Sequence, residues 1–201
     1  MHRDPPAETV ETVRGEDWGG AELRAEQHYR VAYVDVDLSE VHTSGVLFDE
    51  CAFRGVRFNV SRHEGSAFVN CTFSNCNFFD ASFSACKLVG SRFERCAFDL
   101  LSVEGGDWSF VALPGADLRK ASLTGARLRE ADLTGVRCEG ATMTDLDLSG
   151  AWLHKAALAG CDLRGSQLAG IDPTTVDLRG AIVTWEQAVA VATAMGLDVR
   201  P

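Results

Sequence analysis

The sequence predicts an all-β solenoid closed by a short C-terminal helix, and three observations predict it. The first is a five-residue phrase: a small residue, a polar one, a large apolar centre, then two more polar residues or Gly. It is plainest in ADLRK ASLTG ARLRE ADLTG, from Ala116 to Gly135, and it holds thirty consecutive centres from Leu38 to Val183 without an insertion. A period of five fits neither the 3.6 of a helix nor the 2 of a strand, so the backbone must turn every fifth residue and stack its turns. The second observation is that fourteen of those thirty pentapeptides end in Gly, two after the centre, where a corner favours a residue without Cβ. The third is that the register stops after Val183 and helix signals begin.

In chain order, residues 1–15 are polar, carry Pro5 and Pro6, and read as a disordered tail. Residues 16–183 form the repeat domain. Trp18 is its first centre, and Leu23, His28 and Tyr33 carry the grid weakly to Leu38. Up to Phe98 the centres are mostly Phe with Cys, Val or Ser two before; from Val111 they are mostly Leu with Ala. His63 and Pro173 fall on inward slots, where local distortion is expected. Residues 184–201 then close the rod. Thr184 is a good N-cap, Gln187 completes a capping box and Gly196 suits the C-terminal turn. Trp185, Ala188, Val189, Ala192 and Met195 share one helix face, which either covers its own last coil or pairs with a second copy.

Composition excludes several function classes. The chain has 201 residues and a net charge of −10, which argues against direct nucleic-acid binding and points to basic partners. No run reaches the length of a membrane span and the N-terminus lacks a signal-peptide core, so a cytoplasmic protein with no membrane association is expected. Six of the seven cysteines take the small inward slot and Cys138 is a centre, which reads as core filling by free thiols. No metal, cofactor or catalytic residue is expected. His63 is an inward centre with no nucleophile placed beside it, and the glycines are periodic corners rather than a phosphate cradle. Phe79, Phe110 and Trp152 occupy outward slots, where an aromatic can anchor a partner.

The charge is unevenly spread. Residues 31–110 carry eleven acids and six bases, residues 111–183 nine and eight. Lys87, Asp107, Arg127 and Asp147 alternate in sign at twenty-residue spacing and read as a solvated ladder. Unbalanced acids are Glu40, Asp49, Glu50, Glu64, Asp80, Glu94, Asp99, Glu104 and, less cleanly, Asp117. With Asp107 they form the candidate partner-binding surface.

The phrases ADLRK, ADLTG and CDLRG nearly match A(D/N)LXX, and the chain resembles the pentapeptide-repeat family on that ground. The resemblance implies a right-handed quadrilateral β-helix, four pentapeptides to a coil, with centre and small residue inward. Residues twenty apart would then stack about 4.8 Å from each other, with Cys51 on Cys71 and Cys76 on Cys96. The segments DLSEVHT, RHEGSAF with NCTF, and EQAVAVATAMGL further resemble the chromosomal fluoroquinolone-resistance branch of that family. That likeness implies a non-enzymatic DNA mimic that binds DNA gyrase and modulates it. It also implies a homodimer through Trp185, Ala188, Val189, Ala192, Met195 and Leu197. Duplex DNA carries about one charge per 1.7 Å, far more than this chain's net charge supplies, so any mimicry must rest on rod shape and a few acidic columns. The competing reading is a scaffold or adaptor whose charge serves only solubility.

Overall fold

A computed structural model describes residues 8–168 and 170–200. Its strands are β1 (Glu11–Arg14), β2 (Glu22–Arg24), β3 (Gln27–Tyr29), β4 (Val31–Val34), β5 (His42–Ser44), β6 (Leu47–Asp49), β7 (Ala52–Arg54), β8 (Arg62–Glu64), β9 (Ala67–Val69), β10 (Thr72–Ser74), β11 (Ser82–Ser84), β12 (Arg92–Glu94), β13 (Ser102–Glu104), β14 (Ser122–Thr124) and β15 (Thr142–Thr144); the helix α1 (Trp185–Ala194) follows.

Every pairing is parallel and joins residue i to i+20, from Glu11↔Val31 to Asp162↔Ile182, so four pentapeptides make one coil of a β-solenoid. Side 1 is the sheet β1-β4-β7-β10-β12, side 3 the sheet β2-β5-β8-β11-β13-β14-β15, and side 4 the sheet β3-β6-β9. Side 2, between sides 1 and 3, is held by single bridges such as Asp17↔Asp37 and Asp117↔Arg137. The coil begins earlier than expected. β1 lies within the stretch read as a disordered tail, because Val13 and Gly15 already sit on the grid; residues 1–7 of that stretch lie outside the described residues.

Inward centres stack rung on rung. Tyr33, Phe53, Phe73 and Phe93 form a ladder of near-parallel rings with centroids 5.0, 4.8 and 4.6 Å apart. Phe48 on Phe68 and Phe58 on Phe78 repeat it at 4.9 and 4.8 Å, and neighbouring ladders meet edge to face, as at Phe73 and Phe78. Aromatic pairs favour both arrangements over the exact sandwich. From Leu113 on, Leu118, Leu123, Leu128 and Leu133 fill the same slots and are buried.

The corners explain the glycines, and more. Every residue whose number is a multiple of five from 15 to 115 has positive φ, and sixteen such positions along the chain are not Gly. The second determinant is the residue just before the centre. Where it is Asp, its Oδ1 accepts the amide two residues on, as at Asp117 to Arg119, Asp132 to Thr134 and Asp147 to Ser149. This is an Asx-turn. Those pentapeptides bend in a tight turn around a single bridge, whereas Thr72-Phe73-Ser74 and Ser122-Leu123-Thr124 run as three-residue strands.

Of the two expected distortions, one is absent. His63 sits in regular register between Thr43 and Phe83 and is stacked on the Phe83 ring at 4.6 Å. Its ring nitrogens bond Thr43 Oγ1 at 2.8 Å and Ser61 Oγ at 3.0 Å, so the polar ring is satisfied in place and the coil has no reason to yield. Near Pro173 the coil does yield. Lys155 donates to the carbonyl of Thr175, twenty residues on, where the corresponding Asp145 reaches Arg164, nineteen on, and Asp172 Oδ1 caps the intervening turn.

At the end of the rod, Thr184 and Gln187 form the capping box of α1. Gln187 also reaches into the open coil, where its Nε2 donates to the carbonyls of Leu163 and Ser166, each at 2.6 Å. In earlier rungs the amide of residue i+21 serves the carbonyl of residue i, as Lys87 does for Ser66. At the last rung that amide belongs to the helix, and the Gln187 side chain takes over its work.

Candidate partner-binding surface

The outward residues define four long sides of unlike charge. Side 2 with its corner carries eight acids (Asp17, Asp37, Glu40, Asp80, Asp99, Asp117, Glu139, Asp177) against five bases (Arg57, Arg119, Lys120, Arg137, Arg179). Side 3 adds Glu64 and Glu104 in one column with Ser84 between them. Glu40 and Asp80 share the corner joining sides 2 and 3, with Val60 between, and the amide of Asp80 bonds the carbonyl of Asp99. Glu64 and Glu104 lie at the far end of side 3, beside its corner with side 4, so Glu40 and Asp80 flank one edge of side 3 and Glu64 and Glu104 the other, with Arg62 on the side between them; among the described residues none of the four has a base within ion-pair distance.

The other candidates are scattered around the rod. Asp49 and Glu50 leave side 4, Asp107 enters it, and Glu94 lies on side 1, opposite Glu104. Three acids read as unbalanced have partners. Glu50 meets Arg30 at 3.3 Å, Asp99 meets Lys120 at 3.1 Å, and Asp117 holds Arg119 at 2.7 Å and Arg137 at 3.3 Å. In the alternating column, Asp107 pairs with Arg127 at 3.3 Å, while Asp147 is taken by Arg129 from the next strand position.

Asp107 and Asp117 are also structural. The Arg119 guanidinium, with the Arg119 amide, holds the Asp117 carboxyl down at about 2. Burial works to raise Asp107, but the hydroxyl and amide of Ser109 and the charge of Arg127 outweigh it and leave the carboxyl below its ordinary value. A carboxylate that accepts backbone N–H bonds is stabilised in its charged form. Replacing either residue would disturb a turn as well as a charge.

Burial pushes His63 down to about 3 and the Cys86 thiol up to about 11, so the imidazole stays neutral and the thiol protonated at neutral pH. The stacked thiols donate to main-chain carbonyls, Cys51 to His28, Cys71 to Phe48, Cys76 to Phe53 and Cys96 to Phe73, and Cys96 is only half-buried. No helix of the described residues is long and apolar enough to cross a membrane.

The helix leaves an apolar end. Trp185, Met195 and Leu197 are exposed, at 77%, 62% and 60%, whereas Ala188, Val189 and Ala192 are half-buried. Ile182 and Val199 extend this surface. Sequence reasoning misses both, although Ile182 is a branched apolar residue in an outward slot. Phe79, Phe110 and Trp152 are exposed as their slots require.

Comparison with known proteins agrees with this geometry. The pentapeptide-repeats family model matches eight copies over residues 109–137 and 121–158, and a model of the SV2A/B/C luminal domain matches residues 21–98. The pentapeptide repeat protein MfpA of Mycobacterium tuberculosis is 56% identical over 39 residues, which is 19% of this chain and 21% of that protein. MfpA of Mycolicibacterium smegmatis is equally similar over 39 residues, so the match spans about a fifth of the length of either relative. The structure of a trypsin-treated single-residue variant of QnrB1, a plasmid-mediated fluoroquinolone resistance protein, superposes with a TM-score of 0.56. That match covers 96% of this chain and 99% of QnrB1 at 16% identity, a likeness of fold. An unbroken five-residue register and a four-sided parallel coil carry the pattern that the pentapeptide-repeats model matches at residues 109–158 along the rest of the described coil.

Proposed function

We propose that this protein is a DNA-like rod that binds DNA gyrase, occupies the path of DNA on that enzyme and shields it from quinolones or other gyrase poisons. It acts by binding rather than by catalysis, as a cytoplasmic homodimer joined through α1. The observation that carries the reading is the two columns of unpaired carboxylates that flank side 3, Glu40 with Asp80 and Glu64 with Glu104, each pair two rungs apart. Such a face suits a basic groove built for phosphates, because complementary charge steers encounter and sets register. The likeness to MfpA and the shared fold with QnrB1 support it. The apolar end formed by Trp185, Met195 and Leu197 supports the dimer, since a two-fold interface needs one self-complementary patch.

A supercoiling assay with purified gyrase, with and without a quinolone, tests the reading. The wild-type protein inhibits supercoiling and lowers quinolone-induced cleavage. The variant E40Q/E64Q/D80N/E104Q loses both effects while its thermal midpoint stays near that of wild type, because none of the four carboxylates caps a turn. If wild-type protein at micromolar concentration leaves gyrase unchanged, the scaffold reading takes its place. Light scattering tests the dimer, which W185D/L197D should convert to a monomer.

A further inference from the structure

Phe110 and Trp152 do not belong to the acidic face at side 3. Phe110 stands on the corner between sides 4 and 1 and Trp152 on side 1, and they are 55% and 53% exposed. They bound a groove of about 690 Å³ along side 1, with Ala112 and Pro114 in its lining, Arg92 and Arg95 towards one end and Glu130 and Asp132 towards the other. Two further depressions adjoin at Trp152. Arg92 and Arg95 have no carboxylate within ion-pair distance among the described residues, and Arg95 Nε donates only to Asn75 Oδ1, at 3.0 Å. Glu94, between them in sequence, is exposed.

The backbone beneath the groove restricts what can lie in it. The amides of Phe93, Ala112, Leu113 and Asp132 donate along the rod to Ala112, Ser91, Asp132 and Val111, all at 2.8–2.9 Å, and Pro114 has no amide hydrogen. The amide of Arg95 at the groove's end has no main-chain acceptor among the described residues, but a lone donor makes no ladder, so an added β-strand would find too little to pair with. The occupant must bring no backbone demand of its own. Phe110 and Trp152 lie about two rungs apart, an axial offset of about 10 Å. A polyproline II chain has no internal hydrogen bonds and repeats every three residues, about 9 Å. One face of it would meet both aromatics in succession.

We propose that this groove docks a proline-rich segment of a partner protein in the polyproline II conformation, with a carboxylate side chain at its Arg92/Arg95 end. The aromatic walls supply apolar contact at low entropic cost and the unpaired guanidinium groups set the direction of the chain. This surface, on side 1, faces away from the acidic face at side 3, and the proposal does not rest on gyrase binding.

Fluorescence anisotropy with a labelled peptide Glu-Glu-Pro-Pro-Pro-Pro-Pro-Pro, in the absence of gyrase, tests it. The full chain binds the peptide saturably; Trp152→Ala and Phe110→Ala each weaken binding at least about tenfold, as loss of an aromatic hot spot does. Phe79→Ala, exposed on another side, leaves it unchanged, and R92E/R95E shifts preference to a Lys-Lys-headed peptide. Both alanine replacements remove exposed side chains, so circular dichroism and the thermal midpoint stay as in wild type; should Trp152→Ala lose its fold, Phe110→Ala alone carries the test. Absence of saturation, equal binding by Trp152→Ala and wild type, or tighter binding of a helical Ala-rich acidic peptide overturns the proposal.

Discussion

The Phe-filled coils and the Leu-filled coils share one register and differ in nearly everything that fills it. Three sides pair as extended sheets up to Val69 and two of them up to Glu94, whereas beyond Val111 only side 3 keeps strands, β14 and β15, and the other sides pair through single bridges. The centre is not the cause, since Leu123 and Met143 are centres of strands. The neighbour before the centre is better correlated. Ser122 and Thr142 favour extension, while Asp117, Asp132 and Asp147 accept the amide two residues on and close a turn. The period and the left-handed corners thus fix the coil, and an Asp before the centre adds a cap where the chain turns tightly, although Arg57, Ala112 and Arg137 head equally tight turns without one. The two halves join at Trp108, buried over Gly106 in the small slot, with the Phe83 ring edge-on to it at 5.6 Å.

Substitutions can break this comparison at several depths. The largest effect is expected at the junction. A Cβ on Gly106 would overlap the carbonyl oxygen of Cys86 and lie 2.8 Å from its amide nitrogen, and φ there is +85°, so Gly106→Ala meets both a clash and a strained backbone. It should cost more than about 4 kcal/mol or prevent folding, read by urea denaturation. Next come the fillers. Phe73→Ala should cost about 3–5 kcal/mol and Leu128→Ala about 2–5 kcal/mol, the former also breaking two ring stacks at 4.8 and 4.6 Å. The crossed change Leu128→Phe should cost about 1–3 kcal/mol by overpacking, showing that the Leu coils are not loose Phe coils.

A smaller, pH-dependent effect is expected at His63. Its folded value, about 3, lies below its ordinary 6.5, so its contribution is complete above pH 6.5 and is lost as pH falls from 6.5 towards 3, as the unfolded chain takes up a proton the folded one refuses. Thermal midpoints of wild type should drop across that range. His63→Phe, which continues the Phe83 stack, should show a flatter profile there. The smallest effect is expected at Asp132→Ala, about 1 kcal/mol from loss of one turn cap, with no change in oligomeric state.

The five-residue grid, the inward slots and the capping box of Thr184 and Gln187 follow from spacing alone, because a repeat that buries one stripe has few ways to fold. Val13 and Gly15 continue the grid below Trp18, but the polar residues around them mask the first strand. The sequence makes His63 look like a source of distortion because, although Ser61 stands in its own pentapeptide, its other partner Thr43 lies a full coil away and meets it only once the chain is coiled. Pairing of Glu50 with Arg30, a full coil away, is hidden for the same reason. The Asx-turn at Asp117 is the more accessible signal, since the consensus Asp stands where its side chain must cap. Gln187 filling the last rung is not visible, since nothing in sequence says which carbonyls a rod's open end leaves free.

The gyrase proposal stands or falls on whether the acidic face of this rod competes with DNA for that enzyme. Displacement of a labelled duplex from gyrase by the purified protein, followed by anisotropy over a range of salt concentrations, measures this competition. Complete displacement is expected, weakening steeply as salt rises, since exposed charges are screened beyond about 8 Å at physiological ionic strength; none is expected from E40Q/E64Q/D80N/E104Q. Displacement by that variant equal to wild type, or a ternary complex in which protein and duplex bind gyrase together, would contradict the proposal.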